Sequence, residues 1–259
     1  MTALVARDLA PLGYGVTVFE ADPKPGGFMR TQVPRFRLPE AVIDEETGYI
    51  LEMGVEFIGN HRIESMRDLL AQGYDAIFVG SGAPRGRDLD IPGRKEAAGQ
   101  IHVGLDWLSS VYFGHVTKVG KRVLVLGGGN TAMDCCRSAR RLGGTDVKVI
   151  VRSGFDEMKA SPWEKEDAMH EGIPILDCRV PKSFVHARGR LTGMTFEKVR
   201  AQYDDKGRRK LVPTGEPDEF FPCDEVLIAV GQENAFPWIE RDVGIDFDDR
   251  ITRCLHDRR

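Results

Sequence analysis

The stretch VLVLGGGNTAMDCCRSARRLGGTDVKVIVR, from Val123 to Arg152, holds glycines at a spacing that suits a phosphate group. Gly127-x-Gly129-x-x-Ala132 follows an apolar run and opens a helical one, the context that gives this pattern its meaning. A glycine at 127 permits a tight turn, and Gly129 lets the backbone approach a pyrophosphate. Ala132 lets the helix lie close to the sheet. The exposed N–H groups and the positive helix end then attract the phosphates. Arg152 stands 25 residues after Gly127, at the tip of the second strand. NAD-binding versions place a carboxylate there for the ribose hydroxyls. Here the tip reads Val151-Arg152-Ser153, with no acid before Asp156. A guanidinium pairs with a 2′-phosphate and has no matching advantage with a hydroxyl. NADP(H) is expected ahead of NAD(H).

A second stretch, LGYGVTVFEADPKPGGFMR, runs from Leu12 to Arg30. The β-branched and aromatic run Val16-Thr17-Val18-Phe19 ends on Glu20, and a Pro/Gly turn with Gly26-Gly27 follows. An acid closing the second strand of a βαβ unit binds an adenosine ribose, about 20 residues after a glycine loop. Counting back from Glu20 by that distance reaches or passes Met1, so the loop is expected upstream of this chain.

Elements must hold these residues in place. Leu4 to Leu12 has helical spacing and Gly13 stops it, and Tyr14 to Glu20 reads as a strand. Pro39 to Met53 is predicted helical, Val55 to Ile58 a strand, Ser65 to Gln72 a helix, and Asp75 to Gly80 a buried strand. Turn residues from Pro84 to Gly99 read as a connection between domains. The second unit begins at Lys121, with KRVLVLG as the central strand of a parallel sheet. Asn130 to Leu142 is predicted as helix and Asp146 to Arg152 as strand. Pro162 to His170 follows as helix and Ile173 to Leu176 as strand. Val180 to Tyr203 resembles an antiparallel excursion, Asp224 to Gly231 is one more buried strand, and Asp242 to Arg259 a strand-like piece with a basic tail.

With 41% hydrophobic residues in 259, the chain can bury a core, and disorder is not the default. A net charge of −4 and a pI near 5.9 give no nucleic-acid or anionic-membrane surface. No apolar run approaches a membrane span and no signal peptide is recognisable, so a soluble cytoplasmic protein is expected. The five cysteines, Cys135, Cys136, Cys178, Cys223 and Cys254, include no C-x-x-C pair and no iron–sulfur ligand set. They read as ordinary buried thiols. Glu166 and His170 are four apart, as in metal-ligand pairs, yet with Trp163, Glu164 and Asp167 they fit a solvated amphipathic helix better. His102 and His115 read as structural, and no metal site is expected.

The chain resembles the beta (small) subunit of glutamate synthase and its relatives, flavoproteins with two dinucleotide-binding domains. These relatives include the flavin modules of NADPH-dependent ferredoxin reductases and of dihydropyrimidine dehydrogenase. The resemblance rests on FEADPKPGGFMR, VPRFRLPEAVIDEE, YDAIFVGSGAPRGRDLDIPG, VLVLGGGNTAMDCCRSARRLG, DEMKASPWEKEDAMHEGI and DEVLIAVGQ. It implies FAD in the first unit and NADPH in the second, with hydride passing from nicotinamide to flavin. Glu20 would bind the FAD ribose, with Gly26, Gly27, Arg30 and Gly82 beside the FAD. Gly127, Gly128, Gly129, Asn130 and Thr131 would hold the NADPH pyrophosphate, and Arg152 the 2′-phosphate. Gly231 would lie near where the domains meet. No side chain is expected to act as acid or base, since hydride transfer between these groups needs orientation and electrostatics.

The sequence departs from that family in several ways. It has no first strand and glycine loop for FAD, no closing G-D segment and no amino-terminal iron–sulfur region, so a FAD half-site in a chain cut short at both ends is expected. Ser153 stands where a second arginine is common. The expected fold is α/β with two nested Rossmann-like domains: residues 1–102 and 232–259 for FAD, and 103–231 for NAD(P). The expected function is transfer of hydride from NADPH to FAD, with electrons leaving for an iron–sulfur protein or larger catalytic subunit. The alternatives are a nucleotide-binding fragment without activity and a nucleotide-sensing scaffold.

Overall fold

Every side chain from Val123 to Leu126 is buried, which requires cover on both faces of that strand. The computed structural model describes residues 2–203 and 208–245 and shows what supplies this cover. The described residues divide into two units, one of the segments up to Arg85 and from Glu233 onward, the other Gly86–Gln232.

In the first unit, α1 (Thr2–Leu9) runs into a 3-10 turn that ends at Gly13, whose φ of 88° suits glycine. The strand β1 (Thr17–Phe19), the short α2 (Phe28–Thr31) and α3 (Glu40–Leu51) follow, the last preceded by Pro39. The strand β2 (Glu56–Ile58) pairs parallel with β1, Val18 opposite Phe57. The helix α4 (Met66–Leu70) is capped by the Ser65 hydroxyl, which accepts from the Asp68 N–H at 3.1 Å. Segment 236–245 packs onto α4: Ile239 joins the Met66 and Leu69 cluster, and the Met66 N–H donates to the Trp238 carbonyl.

The second unit starts within β3 (Arg85–Gly86) and ends within β13 (Gln232–Glu233). Between them come β4 (Ile101–Val103), α5 (Gly104–Tyr112), β5 (Arg122–Leu126), α6 (Asn130–Arg141), β6 (Asp146–Ile150), α7 (Pro162–His170) and β7 (Ile175–Leu176). The strands β8 (Arg179–Ala187), β9 (Arg190–Tyr203), β10 (Arg209–Pro213) and β11 (Glu219–Pro222) form an antiparallel sheet. The strand β12 (Glu225–Ile228) then returns to a five-stranded parallel sheet of order β4-β12-β5-β6-β7. Strand alternation sorts its two faces. Val123, Val125, Val147, Val149 and Leu227 meet Trp107, Ala132 and Met133 of α5 and α6. Leu124, Leu126, Ile150 and Ile228 meet Phe184, Met194 and Phe196 of the antiparallel sheet.

Two expectations need correction. Asp75–Gly80 forms no strand: Ile77 and Val79 pack into the Met66 cluster and Phe78 between them faces out, but no neighbouring strand supplies a ladder among the described residues. The first unit also ends near Arg85 rather than at residue 102, because β4 pairs with β12 in the second unit's sheet. The tail ITRCLHDRR, with Cys254 and most of the strand-like piece from Asp242, lies outside the described residues.

Candidate functional site

The glycine loop leaves β5 at the carboxyl edge of the parallel sheet. Gly127 and Gly128 are demanded by the protein itself. Gly127 has φ +142°, and a Cβ there would lie 2.1 Å from the Ala229 carbonyl oxygen at the end of β12. A Cβ on Gly128 would lie 2.8 Å from Val151 Cγ1, and the Gly128 carbonyl accepts from the Ala160 N–H. Gly129 differs. Its φ of −105° suits any residue, and a Cβ there would meet nothing within 4 Å. The space above Gly129 is therefore open, at the N-terminus of a twelve-residue helix. Among the described residues, no protein group accepts the backbone N–H of Gly128, Gly129, Asn130 or Thr131. Such donors and the helix dipole suit an anion.

Arg152 sits beside this loop. The Gly127 N–H donates to the Ile150 carbonyl, which places the residues following β5 and β6 side by side. The Arg152 side chain is exposed and has no ion pair or hydrogen bond among the described residues. Gly231, at φ +132°, follows the adjacent β12, and its carbonyl accepts from the Arg87 N–H. The loop thus lies where β5 is flanked by β6 on one side and β12 on the other, the reversal of strand order at which α/β sheets bind ligands.

The side chains of Asn130 and Thr131 have contacts of their own. Asn130 Oδ1 accepts from the Ser161 N–H at 2.8 Å and its Nδ2 lies 3.4 Å from Ser161 Oγ, fastening the start of α7 to the start of α6. Thr131 Oγ1 lies 3.5 Å from Gln232 Nε2. Ser161 was not singled out in sequence; a serine before a proline-started helix signals a cap, not a contact with another helix.

In the first unit, Glu20 follows β1 with its backbone fixed by Ile58 and His61. One carboxylate oxygen accepts from the Asp22 N–H at 3.1 Å, and the other accepts nothing among the described residues. An acceptor is left for a hydroxyl. Gly27 has φ +52° and open space about its Cβ position, whereas a Cβ on Gly26 would press on Ile43 at 3.0 Å. Gly82, at φ +72°, also has open space. Arg30 is held by two carboxylates and a carbonyl. Its side chain, 2% exposed, pairs with Asp44 at 2.7 Å and Glu40 at 3.2 Å, and its Nε donates to the Pro25 carbonyl.

The acidic helix α7 is only partly solvated. Glu166 and His170 are exposed, but Glu164 is buried and pairs with Arg137 of α6 at 3.1 Å. Arg137 also meets Asp167 at 3.1 Å and Glu171 at 2.9 Å, and Arg141 meets Glu171 at 2.6 Å. These pairs lock the helix that presents the loop.

A doubly covered parallel sheet with an open, donor-lined glycine loop at its carboxyl edge is a Rossmann-type dinucleotide-binding fold. The chain belongs to the pyridine nucleotide-disulphide oxidoreductase family, whose pattern matches residues 36–252. This is a family of oxidoreductases that binds FAD and NAD(P)H. The chain is 36% identical over 231 residues to the NADP(+)-dependent formate dehydrogenase subunit beta of Moorella thermoacetica, covering 88% of this chain and 33% of that protein. It is 33% identical to the glutamate synthase [NADPH] small chain of Halomonas elongata, covering 92% of this chain and 52% of that protein. The chain thus spans about a third to a half of the length of these relatives. The fold matches Mycobacterium tuberculosis FprA in complex with NADPH at a TM-score of 0.75 and 19% identity, over 97% of this chain and 71% of that one. Among the described residues no helix is long and apolar enough to cross a membrane.

Proposed function

We propose that this chain is a cytoplasmic NADPH-dependent flavin oxidoreductase module that delivers electrons to an iron–sulfur partner or larger catalytic subunit. The observation that carries the reading is the open space over Gly129 beside N–H groups that have no partner among the described residues. In this reading Gly129, Asn130 and Thr131 hold the pyrophosphate through their backbone N–H groups, and Gly127 and Gly128 shape the turn. Arg152 pairs with the 2′-phosphate and so selects NADPH over NADH. Glu20 accepts a hydroxyl of the FAD ribose, and Gly27 and Gly82 leave room for backbone contact with the flavin nucleotide. Held by these residues, the nicotinamide and flavin would supply hydride-transfer chemistry, and the protein's part would be orientation and electrostatics. The subunit names of the relatives support a partner as electron acceptor.

A nucleotide-binding piece without activity of its own is the second reading. It is favoured by Arg30, whose guanidinium is taken up by Asp44 and Glu40. Supplying FAD and NADPH under anaerobic conditions separates the two. Bleaching of flavin absorbance by NADPH, faster than by NADH, supports the first. Tight NADPH binding without bleaching supports the second. Gly129→Val is expected to abolish NADPH binding with thermal unfolding unchanged, since the side chain meets only the open space. Unaltered NADPH affinity in that variant would remove the loop from the site.

A further inference from the structure

A cavity of about 540 Å³ opens at the amino-terminal edge of the same parallel sheet, the edge opposite the glycine loop. Strands of this length separate the two edges by roughly 15 Å. Gln100 and His102 of the β4 segment, Gly120 before β5, and Asp224 and Glu225 at the start of β12 form its floor. Trp107 of α5, Lys118 of the following connection, and the Arg188–Arg190 turn joining β8 to β9 form its walls. The cavity lies within the size range of small-molecule sites.

Its donors and acceptors do not balance. Trp107 is 3% exposed, and its indole Nε1–H is fully buried with no acceptor among the described residues. Lys118, Arg188 and Arg190 are exposed cations whose side chains make no hydrogen bond or ion pair among the described residues, although the Arg190 charge helps to lower the pKa of Asp224. The two carboxylates are already engaged. Asp224 accepts from the backbone and guanidinium of Arg122 at 2.9 and 2.6 Å, and Glu225 accepts from the Gly120 N–H at 2.6 Å. Burial lowers the His102 pKa, which leaves a neutral ring at neutral pH. Arg188 also holds φ at +53° in a two-residue hairpin turn with Gly189, a conformation that Asn or Gly adopts more readily than a long side chain.

We propose that this cavity is a second ligand site, taking a small organic anion through its carboxylate or phosphate group. Arg188, Arg190 and Lys118 supply the charge, a guanidinium fork being matched to either group. Trp107, whose indole N–H has no acceptor among the described residues, lines the same cavity. The site does not depend on the nucleotide reading, since it shares no residue with Gly127–Thr131 or Arg152.

The test follows the Trp107 indole N–H resonance of the whole chain by NMR, identified by its loss in Trp107→Phe. Inorganic phosphate and citrate are titrated separately, with sodium chloride at matched ionic strength as the control. The expected result is a saturable shift of the Trp107 signal by at least one anion, with the Trp163 and Trp238 signals unmoved. Phosphate alone assigns a phosphate ligand and citrate alone a carboxylate. Arg188→Gln with Arg190→Gln is expected to weaken that binding by about tenfold or more, and Lys118→Gln serves as an independent second variant. A Trp107 signal unmoved by both anions, moved equally by chloride, or moved identically in both sets of variants overturns the proposal.

Discussion

Among the described residues Arg152 has no protein partner and stands beside a loop of unpartnered N–H groups, so its charge is available to a ligand. Losing a charge-assisted contact typically costs about 1.5–3 kcal/mol, roughly ten- to a hundredfold in affinity. Arg152→Glu is expected to weaken NADPH by at least that much and leave NADH unchanged or improved; equal losses for both nucleotides would sink the 2′-phosphate assignment. The cysteines give a different residue-scale expectation. Burial pushes the Cys136 and Cys223 thiols up to about 12 and the Cys135 thiol well above its ordinary value. A thiol reacts as its thiolate, so these three should resist iodoacetamide at pH 8 in the folded chain, while half-buried Cys178 labels first among the described cysteines. Site-resolved mass spectrometry checks this, and native labelling of Cys136 as fast as Cys178 would show that α6 opens. Legibility at this scale followed backbone chemistry. The turn glycines were readable because positive φ and close approach leave few other residues, as at Gly127. The fates of Arg30 and Asn130 were not, because long polar side chains choose partners far away in sequence, Asp44 for one and Ser161 for the other.

At the element scale, α6 is held by α7 through the buried Arg137–Glu164 pair and through Glu171, which Arg137 and Arg141 share. A one-sided break of a buried pair leaves a charge without its partner, at a typical cost of about 3–5 kcal/mol. Arg137→Ala should lose stability of that order in urea unfolding, and Arg137→Ala with Glu164→Gln should recover part of it. No recovery would place the loss in packing and not in the stranded carboxylate. Burial raises the Glu171 pKa, but hydrogen bonds from Arg141 and Arg137 outweigh it, and the net shift is below the ordinary 4.5. A carboxyl with a depressed folded pKa adds stability that is complete above its unfolded value and lost as pH falls through the folded one. Glu171→Gln should therefore flatten the loss of stability below about pH 4.5 and leave a constant deficit at neutral pH. The helices and central strands were readable from period and punctuation, since their burial pattern is local. Asp75–Gly80 shows the limit: its alternation survives as burial of Ile77 and Val79, but a strand also needs a neighbour, which local pattern cannot supply.

For the whole molecule, the two units carry separate cores of unequal weight. The second has a five-stranded parallel sheet covered on both faces, with Val123, Val125, Val149 and Leu227 fully buried. The first has, among the described residues, a two-stranded sheet of three-residue strands and small clusters around Val18 and Val55 and around Met66 and Ile239. Two-stranded sheets are marginal without further cover, so the first unit should unfold at lower denaturant. Hydrogen exchange across a urea series is expected to show β1 and β2 losing protection before β5, β6 and β12. The nucleotide reading then makes a directional demand. A ligand binding only the folded second unit, at a hundred times its Kd, stabilises that unit by about 2.7 kcal/mol and leaves the other unchanged. NADPH should move the later transition alone, with new protection from Gly127 to Thr131 and next to Arg152. FAD should move the earlier one if Glu20, Gly27 and Gly82 hold it. A single transition that NADPH shifts as a whole would show that the units fold as one. An earlier transition indifferent to FAD would assign this chain the nucleotide-binding role without the flavin.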